Sequence, residues 1–462
     1  MLLSWHHTFL VSLLLLGSSL AYPLEENDQG DDTVKRFDEY QVLRVSPGKL
    51  GMKVLSDLEQ YHSLGIDFWG EPLGNKSVDI CVPPGSIPVV EKLLNDTSSP
   101  YEVLIQNVQS LIDREAAEND AVDDRKRRAT ADGSRVNTAD KYLRYGEIND
   151  WLQNVANLYP HLAKLITIGA SYELRPMKVL KLGKPKAHTP YKPSIWIDAG
   201  IHGREWIGPS TVLYIIHQLI SEQSRDPMVS FLMDEFDWYF LPVVNPDGYE
   251  YSHTRDRLWR KTRSRYYRNS NCIGVDANRN FDFSWGKCAD DTLFSRCSST
   301  DPCENTYQGP HAFSEAETKA MGKFIYLRRN LFKLYLSFHS YSQLWLTNWG
   351  HTQDSPPDSN DIMSLARYGA DMLKKKHGTT FKVGSPASIL YSAAGASFDW
   401  AKGVAKIKYA YTLELRDTGR FGFILPPNQI LPVGEEVWGA VKSIAARIYH
   451  EVRDAKDMFY TV

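Results

Sequence analysis

The sequence has little of what marks membrane-embedded or nucleic-acid-binding proteins. Its 462 residues include 56 Asp and Glu against 53 Lys and Arg, so the formal net charge is only −3. A chain without a charge excess has no bulk electrostatic reason to bind nucleic acid or an anionic membrane. Beyond the N-terminal residues, no segment is apolar for long enough to cross a bilayer. We therefore expect neither of those partners, and predict a peptide or small-molecule partner instead.

An apolar run lies near the start of the chain. Residues 9–16 read FLVSLLLL, which is too short to span a bilayer, and the small-x-small triplet Ser19-Leu20-Ala21 follows. The next stretch, EENDQGDDT, has the composition of an unstructured segment, which argues against a buried N-terminal helix. We interpret residues 1–21 as a signal peptide and predict a secreted, extracellular protein.

Cysteine is scarce, with five residues and none in the C-x-x-C spacing. Cys81 stands alone, and the others cluster late in the chain: Cys272, Cys288, Cys297 and Cys303. In the oxidising compartment that secretion implies, this cluster predicts two disulfides rather than a zinc cluster. Four cysteines allow three pairings, and their spacing does not choose among them. Cys81 is predicted to be a buried free thiol.

Large apolar side chains are nearly missing from residues 115–137. This stretch reads EAAENDAVDDRKRR and then ATADGSRVN, which cannot bury enough surface to order itself. We predict an exposed connector. Its multibasic run ends at Arg128 and, between two folded parts of a secreted chain, indicates cleavage by a trypsin-like or multibasic-specific protease. The alternative is a solvated cluster of charges.

The residues before this connector alternate between strand and helix patterns. Strand-like EYQVLRVS is followed by helical KLGMKVLSDLEQYHSL, two strands in IDFWGEPLGNKSVDICV, helical IPVVEKLLND and strand-like YEVLIQNV. This order is that of a ferredoxin-like α+β sandwich. We predict that residues 22–128 form a cleavable propeptide of this fold; a stable two-domain protein with a hinge is the alternative. Sequons at Asn75 and Asn95 offer acceptor sites for glycan.

Strands of the buried type alternate with helical segments after residue 140, which predicts an α/β layered fold. Ligands of such folds gather beyond the carboxyl ends of the strands. Polar residues follow or end four of the predicted strands, and we expect them to converge on one edge of the sheet: His202, Asn245 with Asp247, His339 and Glu414. A charge buried at such an edge persists when it is paired or bound to a metal.

His202, Glu205 and His339 form a set of two imidazoles and one carboxylate. This composition holds a catalytic zinc and leaves a fourth position open for water. The His-x-x-Glu spacing in DAGIHGREW is expected about once by chance among 13 histidines, so the strand-end placement carries the prediction. His217 and His253 are weaker candidates for the third ligand, since the first is in mid-helix and the second follows a turn.

Five motifs, in this order, resemble those of the zinc metallocarboxypeptidases of the pancreatic carboxypeptidase A/B type: HGREW, NPDGYEYSHTRDRLWRKTRS, GVDANRNFD, FHSYSQL and LELRDTGRFGF. The resemblance covers residues 140–450, and the N-terminal domain with its basic connector resembles the proregion of that family's secreted zymogens. It implies that residues 129–462 are a monomeric catalytic domain with one zinc ion, built on an eight-stranded, mixed and mainly parallel twisted sheet flanked by helices.

The resemblance assigns roles to residues of matching type. It implies a zinc site with the ligands His202, Glu205 and His339. Asp276 matches the carboxylate that accepts the free N–H of the first histidine and fixes its tautomer. Glu414 matches the general base that takes a proton from the zinc-activated water and passes it to the leaving amine. Arg260 matches the arginine that stabilises the developing oxyanion.

A second group of matching positions binds the end of the substrate. Asn278, Arg279 and Tyr391 match the residues that clamp a terminal carboxylate, a task that suits the planar guanidinium of arginine. Arg204 matches a position that contacts the substrate further upstream. The resemblance therefore implies an exopeptidase that removes single residues from the C-termini of peptides and proteins.

The pocket for the departing side chain decides the subtype. B-type members place an aspartate directly before the Asp-Trp pair to attract Lys or Arg, whereas this chain has Phe398 there. The other matching wall positions are Leu346, Ala393, Ala396 and Thr412. An uncompensated cation in such a pocket is costly, so we predict A-type release of apolar residues. The bulk of Phe398 further predicts a shallow pocket that favours aliphatic over large aromatic side chains.

The resemblance also bears on the cysteines. The family pattern pairs Cys272 with Cys303. Cys288 and Cys297 flank a segment that is longer than the family's usual loop, and they are left to form a local second disulfide.

Two alternative functions remain beside this prediction. One is a catalytically silent peptide- or metal-binding member of the same fold, and the presence of both Glu414 and Arg260 opposes it. The other is B-type specificity for Lys and Arg, which Phe398 opposes.

Overall fold

The computed structural model describes residues 33–46, 64–70, 76–129, 140–186, 191–266, 272–287 and 297–459. These residues form two β-sheets with helices packed against them. No helix among them is both long enough and apolar enough to span a membrane. The predicted signal peptide, most of the first predicted helix and the sequon residue Asn75 lie outside the described residues.

The N-terminal domain is built on a four-stranded antiparallel sheet. Its strands are β1 (Gln41–Val45), β2 (Asp67–Phe68), β3 (Val78–Val82) and β4 (Tyr101–Ile105). They lie in the order β2-β3-β1-β4. Helix α1 (Ile87–Asp96) buries Val90 and Leu94 in the same apolar cluster as residues of β1 and β3. This strand order is the ferredoxin-like one, which confirms the predicted fold of this domain.

Helix α2 (Val108–Ala129) runs through the first part of the stretch predicted as an exposed connector, and most of residues 115–122 are exposed or half-buried, with Glu115 and Val122 as the buried exceptions. Glu115 is only 3% exposed, and its carboxylate accepts hydrogen bonds from Nε (2.6 Å) and Nη2 (2.9 Å) of Arg257. Docking against the larger domain therefore orders residues that could not form a core of their own. Arg128 lies near the C-terminal end of this helix, and residues 130–139 lie outside the described part of the chain.

The larger sheet has eight strands. They are β5 (Ala163–Ala170), β6 (Pro176–Leu182), β7 (Ser194–Ala199), β8 (Asp237–Leu241), β9 (Phe332–Ser340), β10 (Leu344–Leu346), β11 (Lys382–Gly384) and β12 (Tyr409–Leu415). Their order is β11-β10-β12-β9-β7-β8-β6-β5. Neighbours within β12-β9-β7-β8 are parallel, as are β10 and β11, and the remaining pairs are antiparallel. The sheet is mixed and mainly parallel, as predicted.

Helices flank this sheet. They are α3 (Tyr145–Leu158), α4 (Ile207–Glu222), α5 (Pro227–Glu235), α6 (Pro246–Thr254), α7 (Ala316–Tyr326), α8 (Ser359–His377), α9 (Pro386–Ile389), α10 (Ser397–Gly403) and α11 (Ile430–Phe459). Side chains alternate along β7, so that Ile195 and Ile197 join one apolar cluster while Trp196 joins another. Because both faces are buried, the central strands read as continuous apolar runs.

The parallel strands direct their carboxyl ends to one edge of the sheet. Strand β7 ends at Ala199, shortly before His202. His339 lies one residue before the end of β9, and Glu414 lies one residue before the end of β12. The register pairs Glu414 directly with His339 on the neighbouring strand. The topology thus brings three of the predicted strand-end residues to one place.

The cysteines divide into bridged and free residues. Cys272 and Cys303 form a disulfide, with Cα atoms 4.8 Å apart. Cys297 is disulfide-bonded as well, whereas Cys288 lies outside the described residues. Cys81 is free and buried in β3, and burial raises the pKa of its thiol well above the ordinary value. A buried, protonated thiol is unreactive, so Cys81 contributes packing rather than chemistry.

Glu317, in the first turn of α7, is fully buried. Its Oε1 accepts a hydrogen bond from the backbone N–H of Tyr172 (3.0 Å), and Oε2 has no partner in the described part of the chain. Burial raises the pKa of this carboxyl from 4.5 to about 8. Between those two values the folded protein holds a proton that the unfolded chain releases, so this group makes stability fall as pH rises.

Replacing Glu317 by Gln removes this titration and should reduce that decline. We expect the melting temperature of the wild-type protein to fall between about pH 5 and about pH 8, and that of Glu317→Gln to fall less. Thermal melts of both proteins across this range make the comparison. Equal shifts in the two proteins would show that Glu317 does not hold the proton.

Candidate metal centre and active site

Three buried side chains meet at the carboxyl edge of the parallel strands: His202, Glu205 and His339. The ligand atoms that they offer lie within 4.8 Å of one another. Nδ1 of His202 lies 2.6 Å from Oε1 of Glu205, and Nδ1 of His339 lies 3.1 Å from Oε2 of the same carboxylate. Each side chain is at most 3% exposed. Two imidazole nitrogens and one carboxylate therefore face a common centre.

This donor set fits zinc, which binds imidazole nitrogen and carboxylate oxygen in catalytic sites. The outer ring nitrogens are engaged elsewhere: Nε2 of His202 lies 3.1 Å from Asp276, and Nε2 of His339 lies 3.3 Å from Ser337. A proton on Nε2 leaves the lone pair of Nδ1 directed to the centre. Burial and the charge of Arg260 lower the pKa of His202, which favours the neutral imidazole that a metal requires.

His217 and His253 take no part in this set. Within the described ranges, His202, Glu205 and His339 are the one group of three such side chains that could hold a metal ion. His253 instead stacks on Trp206, with ring centroids 3.7 Å apart. The candidate third ligand is therefore His339, far along the chain.

Two side chains that were not predicted from the sequence, Ser337 and Asp198, lie behind His339. Ser337 Oγ donates a hydrogen bond to Oδ1 of Asp198 (2.7 Å), whose Oδ2 accepts from Nε1 of Trp196 (2.7 Å). Asp198 and Ser337 are paired in the register of β7 and β9, and both are fully buried. A signal for them exists in the sequence, since each is a polar residue within an apolar strand. Ser337 also lies two residues before His339, which places both on one face of β9.

Asp276 is fully buried beside the three candidate ligands. Its Oδ1 faces Nε2 of His202, and its Oδ2 accepts a hydrogen bond from Nη2 of Arg260 (2.8 Å). Nη1 of Arg279 lies 3.8 Å from the same oxygen. Burial by itself raises the pKa of Asp276, but the two guanidiniums outweigh it and hold that pKa well below its usual range. Asp276 is therefore an anion that joins His202 to Arg260.

Glu414 borders the same cleft from β12 and is partly exposed to it. Burial raises the pKa of its carboxyl to about 7. A carboxyl with a pKa near neutrality can both accept and return a proton at physiological pH. Its position beside His339 thus combines acid–base capacity with proximity to the candidate metal site.

The three residues predicted to bind a terminal carboxylate, Asn278, Arg279 and Tyr391, line the cleft. Arg279 is only 2% exposed, yet its Nε and Nη2 have no hydrogen-bond partner within the described residues. Its guanidinium carbon lies 5.8 Å from the ring centroid of Tyr391. Asn278 is held through Oδ1, which accepts from the backbone N–H of Ser397 (2.9 Å). Because unpaired buried donors are costly, this part of the cleft is suited to an anionic group.

The side-chain pocket next to these residues is small and largely apolar. Its walls include Leu346, Ala393, Ala396, Phe398 and Thr412. The cleft as a whole encloses about 60 Å³. Phe398 is 2% exposed, and a Cβ built on Gly350 would lie 3.2 Å from its ring. The phenyl ring therefore packs closely against the backbone at Gly350.

Two residues of the N-terminal domain that were not predicted as site residues, Asp67 and Trp69, reach this region. Trp69 lines the cleft, and its ring centroid lies 4.9 Å from that of Phe423. Asp67 accepts a hydrogen bond from Nη1 of Arg204 (2.8 Å), the residue predicted to contact substrate upstream. Arg204 is consequently only 1% exposed. The segment IDFWG was the available signal in the sequence, because Asp67 begins a strand and Trp69 directly follows that strand.

The expected convergence of all strand-end residues is wrong for Asp247. Its carboxylate accepts hydrogen bonds from Oγ of Ser171 (2.6 Å) and the backbone N–H of Glu173 (2.7 Å), and thereby holds the turn between β5 and β6. Helix α6 begins at Pro246, so the chain turns before Asp247 and presents it to that turn. Asn245 does not line the cleft either, and instead caps α6.

Comparison with known proteins agrees with this geometry. Residues 148–440 match the family model of zinc carboxypeptidases, and residues 49–115 match that of the carboxypeptidase activation peptide. The chain belongs to the zinc carboxypeptidase family, as a metallocarboxypeptidase made with an activation peptide. These matches confirm the resemblance seen in the five motifs and the predicted zinc.

Individual relatives carry both subtype names. The chain is 47% identical over 304 residues to carboxypeptidase B of Astacus astacus, covering 66% of this chain and 96% of that protein. It is 37% identical over 437 residues to carboxypeptidase A1 of Bos taurus, covering 94% and 97%. The crystal structure of thrombin activatable fibrinolysis inhibitor matches with a TM-score of 0.78 and 31% identity over 89% of this chain and 99% of that chain. Sequence similarity alone therefore leaves open whether the chain has A-type or B-type specificity.

The contact behind His339 predicts an effect on metal binding. Ser337→Ala should weaken zinc affinity about tenfold, because the outer partners of a metal-binding histidine typically contribute 10- to 100-fold. Competition with a chelator at fixed pH measures this affinity. Thr211→Ala is the matched control, since it removes another buried hydroxyl, one that bonds to the backbone carbonyl of Ile207 (2.8 Å) within α4. Equal zinc affinities for Ser337→Ala and the control would contradict the prediction.

Proposed function

We propose that this metallocarboxypeptidase is a secreted, monomeric zymogen that, once cut after Arg128, releases single apolar residues from the C-termini of peptides and proteins. The observation that carries the proposal is the convergence of Glu414, Arg260 and Arg279 on one cleft beside the three candidate ligands, with Nε and Nη2 of Arg279 free of partners within the described residues. A proton-transfer group, an oxyanion donor and an anion-binding group at one place are the parts of a catalyst, whereas a silent binding protein requires only some of them.

The proposed role of Arg279 is to receive the terminal carboxylate of the substrate. Its Nε and Nη2, unpaired in the described part of the chain, form a planar pair of donors that suits two-pronged binding of a carboxylate. Asn278 and Tyr391 lie beside it in the cleft wall. An endopeptidase has no use for such a clamp, so the proposed reaction is removal of the last residue.

Three groups would share the chemistry. Zinc, when held by His202, Glu205 and His339, supplies a Lewis acid that polarises the scissile carbonyl and acidifies water. Glu414 takes a proton from water and returns it to the leaving amine. Arg260, held by Asp276, donates hydrogen bonds to the oxyanion that develops on the carbonyl oxygen.

The N-terminal domain supports the proposal of a zymogen. Asp67 accepts a hydrogen bond from Arg204, and Trp69 forms part of the cleft wall. Both residues would therefore compete with an extended substrate for these positions. The buried Glu115–Arg257 ion pair anchors helix α2 to the larger domain. A cut after Arg128 separates this helix from the catalytic chain, and the domain can then leave the cleft.

The proposed apolar preference rests on Phe398 and on the neighbouring Asp399. Oδ1 of Asp399 accepts a hydrogen bond from Nδ2 of Asn348 (2.9 Å), and Oδ2 accepts one from the backbone N–H of Gly350 (2.8 Å). Nδ1 of His351 lies 3.0 Å from Oδ2. Groups of the protein itself therefore use the hydrogen-bonding capacity of the Asp399 carboxylate, which leaves this carboxylate unsuited to pairing with a substrate Lys or Arg. B-type specificity is the second candidate, favoured by the 47% identity to carboxypeptidase B of Astacus astacus.

The activity test uses the proprotein cut with a trypsin-like protease. We expect release of C-terminal Leu and Phe, loss of that release with a zinc chelator, and little release of Lys. Glu414→Gln should lower kcat at least about 100-fold, because general base catalysis contributes about 10²–10⁴-fold.

Each outcome of this assay decides one part of the proposal. No release from any substrate would overturn the enzyme, and release of Lys alone would overturn the apolar preference. Retained activity in Glu414→Gln would remove the assignment of the base.

Pocket size gives a separate prediction. Phe398→Ala should raise the ratio of kcat/KM for C-terminal Phe over Leu about tenfold, because one well-filled apolar group is worth about 1–3 kcal/mol in such a pocket. Phe398→Leu is the matched control and should give an intermediate ratio. If all three proteins show the same ratio, Phe398 does not limit the pocket.

A further inference from the structure

Asn245 is a buried polar residue that the proposed mechanism does not use. It follows β8 and is fully buried, between the two backbone segments that carry His202 and Arg260. Its backbone N–H donates to the carbonyl of Gly200 (3.0 Å). This bond continues the parallel pairing of β7 and β8 beyond the strand ends. Asn245 is therefore held in place by the sheet itself.

The side-chain amide of Asn245 makes three hydrogen bonds. Nδ2 donates to the carbonyls of Ile201 (3.3 Å) and Lys261 (3.0 Å), and Oδ1 accepts from the backbone N–H of Gly248 (2.9 Å). The first carbonyl belongs to the residue before the candidate ligand, and the second to the residue after the candidate oxyanion donor. One planar group thus ties two functional loops to the first turn of α6.

The same three backbone segments pack with no spare room. The N–H of Gly203 donates to the carbonyl of Arg260 (3.0 Å). A Cβ on Gly203 would lie 2.4 Å from the carbonyl oxygen of Gly248 and 2.7 Å from that of Trp259. A Cβ on Gly248 would lie 2.4 Å from Nδ2 of Asn245. Any shift of the amide therefore passes directly to the loops.

We propose that Asn245 is a positioning residue that fixes the backbone of His202 relative to that of Arg260. The inference rests on the proposed function, in which Arg260 stabilises the developing oxyanion. The junction requires two donors and one acceptor on a short planar group, which asparagine provides and aspartate does not. Asp276 joins the two side chains, whereas Asn245 joins their main chains.

The primary test is Asn245→Asp in the activated, zinc-loaded protein. This change keeps the shape and the acceptor for Gly248, and replaces the two donors by an oxygen that faces two carbonyls. We expect kcat to fall about 100-fold, as a displacement of about 1 Å at a reacting group can cause. KM should change less than about threefold, because the lost interaction belongs to the transition state. Zinc content should remain at one per chain.

A second variant covers the case in which Asn245→Asp does not fold. Gly248→Ala disturbs the same contacts without adding charge, since its Cβ would meet Nδ2 of Asn245 and the carbonyl oxygen of Lys261, both at 2.4 Å. It should show the same loss in kcat at nearly constant KM. Asp226→Ala is the matched control: it removes the cap of α5, which accepts from the backbone N–H of Met228 (2.8 Å), and should leave kcat unchanged.

A double-mutant cycle with Arg260→Ala separates the inference from the proposed function. If Asn245 acts by placing Arg260, Asn245→Asp should lower kcat far less in the Arg260→Ala background than in the wild type. Fully multiplicative losses would overturn the positioning role. If Arg260→Ala alone leaves kcat unchanged, the oxyanion assignment fails instead, whatever Asn245 does.

Discussion

The buried carboxylate of Asp276 is the interaction on which the site depends. A fully buried anion is stable only when its charge is matched, and here it is matched by Arg260, with Arg279 close by and the N–H side of His202 facing it. Satisfying this one charge therefore fixes a candidate metal ligand, the candidate oxyanion donor and one side of the carboxylate clamp together. Asp276 also caps the 3₁₀ turn Ala277–Arg279, so this carboxylate and the two clamp candidates Asn278 and Arg279 lie close together in the chain.

Paired charges also hold the N-terminal domain against the larger domain. Charged residues cross the boundary in pairs: Asp67 with Arg204, and Glu115 with Arg257. The hydroxyl of Tyr341, two residues after His339, donates to Asp79 of β3 (2.6 Å). Because each of these contacts needs both domains, loss of the N-terminal domain would leave Arg204, Arg257 and Tyr341 without these partners.

Much of the fold and of the site could be predicted from the sequence, for identifiable reasons. Apolar runs predicted the strands of the large sheet. The strand-end positions of His202, His339 and Glu414 predicted that these residues belong to the site, because parallel strands share one carboxyl edge. Asp247 follows a strand in the same way, yet it serves the turn between β5 and β6, since α6 starts before it. Glu115 begins a stretch that was expected to be exposed, and the composition of that stretch does not reveal that Arg257, 142 residues away, pairs with the carboxylate of Glu115 and buries it.

The sequence by itself determined the family, the order of the elements and the residue types of the candidate metal set, since these follow from local periodicity and from short motifs in a fixed order. The tertiary structure decided the partnerships: Ser337 with Asp198 behind His339, Asn245 between two loops, and Phe398 against Gly350. Such partners lie far apart in the chain. Only strand register and the packing of segments against one another bring them within hydrogen-bonding or van der Waals distance.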